Sequence, residues 1–185
     1  MMGVALKERK KDKVSNIEWL GQQMRAKTAN FEQCTQDTNL EPITWQDRCG
    51  VFAHIESELG KAVGALLIWG HAEKQAYDYA KEHLASIMIR NAVIDGKGEP
   101  KLISLKKLSS GVSFMLLEFS MDNRLEENFT AKGRLYFAGI GENVLNYDAY
   151  RMSWLKYERL MEVALYSAIW EVEMAVEKYR KDLKQ

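Results

Sequence analysis

From Trp45 to about Val93 the apolar residues recur every three or four positions without losing phase. Trp45, Cys49, Phe52, Leu59, Val63, Leu66, Gly70, Tyr77, Ala80, Leu84 and Ile87 fall on one stripe, interrupted by Glu56 and Glu73. That spacing is the signature of a helix with one buried face. Gly60, Gly64 and Gly70 argue against a continuous helix, since each costs about 1 kcal/mol in a helix interior. Length sharpens the choice. At 1.5 Å per residue an unbroken helix would run roughly 70 Å, whereas a compact chain of 185 residues has a diameter near 40 Å, from a radius of gyration of about 16 Å. Either the helix breaks near Gly70 or the protein is elongated, and the surviving phase favours elongation.

The rest of the chain divides around this stretch. Residues 1–14 carry five basic and two acidic side chains with no apolar periodicity, and they read as a mobile basic tail ahead of a single domain at 15–185. Ile17, Leu20, Met24, Phe31 and Cys34 give a first amphipathic helix, closed by Pro42, which disfavours helix in the residue before it. After the turn residues Asp95 to Pro100, three segments read as strands: 102–108, 112–121 and 129–137. Ser109-Ser110-Gly111 reads as the turn between the first two. The third carries the clearest signal, Phe129, Ala131, Gly133, Leu135 and Phe137 alternating with polar or exposed residues at period 2. Beyond Gly141 the helical period returns through Trp154, Met161, Leu165, Ala168, Val172, Ala175 and Tyr179. The expected fold class is therefore α+β and predominantly helical, ordered α-α-β-β-β-α, with a three-strand antiparallel meander between two long helices.

Composition narrows the function classes. Basic and acidic residues balance at 26 each, which disfavours a strongly basic nucleic-acid binder and an acidic solvating protein. Two cysteines make no disulfide framework. The longest apolar run, Ala62 to Gly70, has nine residues, too few to span a bilayer. With no signal-peptide pattern after the basic N-terminus, the expected setting is cytoplasmic, with no membrane partner.

Catalytic signatures are missing. There is no phosphate-binding loop, no Glu-x-x-His or His-Glu-x-x-His metal motif and no nucleophile elbow, and no cofactor is implied. Three readings follow. The first is a non-catalytic binding or regulatory protein that acts on a protein partner through a helical surface, as a homo-oligomer. Ile55, Ile68, Trp69, Tyr157 and Tyr166 lie off the main stripes and supply its interface. The second is nucleic-acid binding through Lys7, Arg9, Lys10, Lys11 and Lys13 of the tail, with Lys106, Lys107, Lys132, Arg134 and Tyr136 on the strand face. The third is a Mg²⁺-dependent helical hydrolase whose weak candidate ligands are Glu56, Glu73 and Glu158. Neither Glu56 nor Glu73 has a second carboxylate three residues away.

Overall fold

The computed structural model describes residues 16–25 and 50–182, and across them the long stripe is cut twice. The helix α1 covers Asn16–Arg25. A later helix ends at Ala53, and residues 54–57 break before α2, Glu58–Trp69. A 3-10 turn, Gly70–Ala72, separates α2 from α3, Lys74–Ile94. The first break is gripped by a carboxylate from far along the chain. Glu171 accepts from the Glu56 amide at 2.6 Å, the Ser57 amide at 2.8 Å and the Ser57 hydroxyl at 2.5 Å. That hydroxyl in turn accepts from the Gly60 amide and caps α2. Gly70 makes the second break, with φ 61° and ψ −145°, a conformation essentially confined to glycine. The expectation of an elongated, unbroken helix is thereby corrected.

The expected meander is absent: among the described residues there are no strands. The first two strand segments merge into one helix, α4, Leu105–Met121. Its start is set by Ser104, whose hydroxyl accepts from the Lys107 amide. The supposed turn Ser109-Ser110-Gly111 lies inside it. Ser109 and Ser113 are buried, and each donates to a carbonyl three residues back, of Lys106 and Ser110. Their hydroxyls are thus satisfied within the helix. Gly111 is there for proximity, because a Cβ would stand 2.3 Å from the Ala138 carbonyl oxygen. The third segment is also helical. After the short α5, Asn123–Glu127, Thr130 caps α6, Ala131–Phe137, by accepting from the Gly133 amide. A helix of two turns is too short to display a 3.6-residue period. Its alternation instead places Phe129 and Phe137 on Phe119, with ring centroids 5.7 and 5.2 Å apart. The last described elements are α7, Tyr147–Ser153, and α8, Leu155–Asp182.

Four helices carry the core. α3 packs against α2, α4 and α8, and α8 also lies on α2 and α4. The main apolar cluster includes Leu66, Leu84, Met88, Leu108, Met115, Tyr157 and Met161. A second cluster lies where α1 meets α2 and α8, joining Leu20, Val51, Ile55, Ile68, Val172 and Val176. Fully burying one such side chain contributes about 1.5–3 kcal/mol.

Two glycine substitutions test the architecture. Gly111→Ala drives a methyl into a backbone carbonyl and Gly70→Ala strains an open turn, each costing about 1–3 kcal/mol. Each should lower the thermal midpoint by about 2–4 °C per kcal/mol lost. Gly98→Ala, where a Cβ meets nothing and φ is ordinary, should change it little. Equal midpoints for all three, by differential scanning calorimetry, would contradict this packing.

Candidate functional site

The last helix is apolar on two faces. It runs 28 residues with neither Gly nor Pro inside. Arg180 and Lys181 in its last turn suit the negative end of the helix dipole. Its inner face buries Tyr157, Met161, Leu165, Ala168, Val172, Ala175, Val176 and Tyr179. On the opposite face Leu160, Val163, Tyr166, Trp170 and Met174 follow one another at steps of three, three, four and four. Val163, Tyr166 and Trp170 are 66%, 62% and 63% exposed. An ordinary surface helix shows one apolar stripe and one polar face. The outer stripe covers roughly 20 Å of helix at 1.5 Å per residue, and it concentrates the aromatic types that anchor protein contacts. Charges border it. Arg159 lies before it, and Glu177 lies beyond it, 2.9 Å from Lys181.

Inside the molecule, α8 is held by a second polar device. Arg134 of α6 lies 2.8 Å from Glu126, 3.2 Å from Glu158 and 3.4 Å from Glu162. Tyr150 of α7 donates to the other oxygen of Glu158. Burial pushes the Glu158 carboxyl above the usual carboxylate range, against the pull of the Tyr150 hydrogen bond and the Arg134 charge. Burial also pushes the Tyr150 hydroxyl well above its ordinary range, and the Glu158 charge adds to this. A guanidinium thus stands where three carboxylates converge. This locks α6 and α7 onto α8 and leaves the outer face of α8 free.

The residues expected for the three functions are scattered. Glu56 and Glu73 are exposed and are not brought to Glu158, which is buried. Among the described residues no group of three or more His, Cys, Asp or Glu side chains is placed to hold a metal ion. His54, His71 and His83 are all exposed. Of the basic set, Lys7, Arg9, Lys10, Lys11 and Lys13 lie outside the described residues, as does the rest of the basic tail. Lys106 and Lys107 are exposed on α4, whereas Lys132 and the exposed Tyr136 sit on α6. Lys132 pairs with Glu142 at 3.1 Å, and Arg134 is committed to its carboxylates.

The expected protein interface divides differently. Ile55 and Ile68 are buried in the second cluster, and Trp69 stacks on Phe52 at 5.8 Å. Tyr157 is buried in the main core and donates to Asp95 at 2.9 Å. Asp95 also accepts from Lys156, and that bond, followed by the one from Tyr157, holds its carboxyl below the usual range. Tyr166 alone of the five stands exposed. Gly60 and Gly64 let the chain's own α8 approach closely, at Glu171 and Val172. Sequence reasoning missed Val163, Trp170 and Met174, although their spacing from Tyr166 was readable.

No helix among the described residues is long and apolar enough to cross a membrane. No protein-family model, curated protein or solved structure matches this chain.

Arg134→Ala leaves three carboxylates around a vacated guanidinium; breaking a fully buried pair costs about 3–5 kcal/mol, and the half-buried Arg134 should cost less than that. The sign of the pH dependence follows from the raised Glu158. Its folded form binds more protons than the unfolded chain between the ordinary carboxylate value near 4.3 and its raised value, so its contribution to stability falls as pH rises through that window. The deficit of Arg134→Ala should therefore be largest near neutrality and shrink on acidification towards pH of about 4. Urea unfolding across that range checks it. A deficit that does not depend on pH would contradict the assignment.

Proposed function

We propose that this chain is a non-catalytic binding protein that acts through the outer face of α8, and that its partner on that face is a second copy of the chain. The observation that carries the reading is the exposed stripe Leu160, Val163, Tyr166, Trp170 and Met174 on a helix whose other apolar face is already buried. Its order along the helix is self-complementary. When two copies of α8 lie antiparallel about a two-fold axis at the level of Ala168, Tyr166 of each faces Trp170 of the other. Val163 then meets Met174 of the second copy. Arg159 comes opposite Glu177 of the second copy, outside the apolar centre. Closed two-fold pairing uses one patch twice, and an aromatic centre with a charged rim is the usual anatomy of such an interface.

The size of the patch sets the expected strength. Trp170 and Tyr166 present together on the order of 250 Å² of aromatic surface per chain, taking about 200 Å² for each whole side chain. That is a modest share of the roughly 800 Å² per partner of a standard interface. The dimer is accordingly expected to be reversible and dependent on concentration.

Size-exclusion chromatography with light scattering, run over a dilution series, tests this. The wild-type chain should approach twice the 21.3 kDa of one copy as concentration rises. Tyr166→Asp with Trp170→Asp should stay monomeric, because losing an aromatic anchor costs about 2 kcal/mol or more, roughly thirtyfold in affinity for each. Both residues are exposed, so the helical circular dichroism and thermal midpoint of the monomer should be retained. A wild-type chain that is monomeric at every concentration, or a double variant that dimerises equally well, would overturn the proposal.

A further inference from the structure

A cavity of about 560 Å³ opens between α3, the start of α4 and the turn that follows α6. Its lining combines two features. The rim carries three cations, Lys81 from α3 and Lys106 and Lys107 from the first turn of α4, while Phe114, Phe137 and Ile140 contribute apolar surface. No aspartate or glutamate lines it. None of the three lysines has an ion-pair partner among the described residues.

The charge arrangement runs against the local field. A helix N-terminus carries partial positive charge and favours acidic residues in its first turn. The first turn of α4 has no acidic residue, and adds two lysines to that positive end instead. Glu99 accepts from the Leu105 amide at 3.1 Å, but it lines a different cavity. The lining itself thus holds three cations and no carboxylate over an apolar floor. Like charges gathered at one mouth raise the energy of the empty site, and an anion seated there relieves it.

We infer that this cavity binds a small organic anion of amphipathic build, a phosphate monoester of an apolar alcohol. The multiply charged head would sit among Lys81, Lys106 and Lys107, and the apolar body would lie on Phe114, Phe137 and Ile140. Phe114 and Phe137 stack with centroids 5.4 Å apart, which gives the body a flat surface already in place. The volume lies within the roughly 300–1,000 Å³ of small-molecule sites. A multiply charged phosphate head matches three cations better than a single carboxylate, which leaves charge uncompensated. This site is independent of the outer face of α8 and does not rest on dimer formation.

Isothermal titration of the full chain with octyl phosphate, kept below its micelle concentration, tests the inference. Saturable binding at one site per chain is expected. Inorganic phosphate and octanoate should each bind at least about tenfold more weakly, the first lacking the apolar body and the second the full charge. Lys106→Glu with Lys107→Glu should weaken octyl phosphate by about tenfold or more. Lys81→Glu, on another helix, should weaken it independently, so that a folding fault in one variant does not decide the result. No binding of octyl phosphate would overturn the inference. So would equal affinity for inorganic phosphate, which would mean surface lysines acting alone, or unchanged affinity in both charge variants, which would place the ligand elsewhere.

Discussion

The reversal at Gly70 is the constraint on which the rest depends. With φ at 61° the chain leaves α2 and turns back along it as α3, so an apolar stripe that would have made a rod folds against itself. Two helices lying side by side form a surface broad enough for α8 to cover. Glu171 completes the arrangement from the other direction, reaching from α8 to hold the break at Ser57. One residue that permits the turn and one carboxylate that fixes its upstream edge thus decide where the longest helix lies.

Once α8 is seated, its two faces have different fates. The inner face enters both apolar clusters and is anchored near its start by the Arg134 group, in which a guanidinium serves three carboxylates and Tyr150 satisfies Glu158. These polar contacts are costly to bury and useful only when complete. They bind the short helices α6 and α7 to the same side of α8, and the opposite side is left uncovered by any described element. An apolar face that includes Val163, Tyr166 and Trp170 therefore stays exposed on the side of α8 turned away from the core.

Much of the helical skeleton was legible in the sequence. Along the long stripe Leu59, Val63, Leu66, Ala80, Leu84 and Ile87 are buried while Phe52, Gly70 and Tyr77 are half-buried, and the terminal stripe through Trp154, Met161, Leu165, Ala168, Val172, Ala175 and Tyr179 is buried. The segment 102–137 was misread for two physical reasons. Ser109, Ser110 and Gly111 resemble a turn in composition, yet serine hydroxyls bonded three residues back and a glycine facing Ala138 are equally at home inside a packed helix. Phe129 to Phe137 alternates as a strand would, yet a capped two-turn helix places the same phenylalanines in an aromatic cluster. Interface residues were misplaced because the width of a stripe does not say who covers it. Ile68 is buried off the main stripe because α2 is packed on more than one side, against α1 and α8 as well as α3, and Ile55 from the break before α2 joins the same cluster. Trp170 belongs to a second stripe behind the inward one, and the inward stripe by itself already accounts for the helical period of α8.

The proposed antiparallel pairing of two copies along α8 is open to disulfide trapping. In a background carrying Cys34→Ser and Cys49→Ser, chains with Arg159→Cys are mixed with chains carrying Glu177→Cys and exposed to mild oxidation. A disulfide requires Cα atoms within about 7 Å, so only a register that brings positions 159 and 177 together will form one. The expected result is a covalent dimer in the mixture and little in either variant alone. Equal cross-linking in the separate solutions, or none in the mixture, would contradict the antiparallel interface.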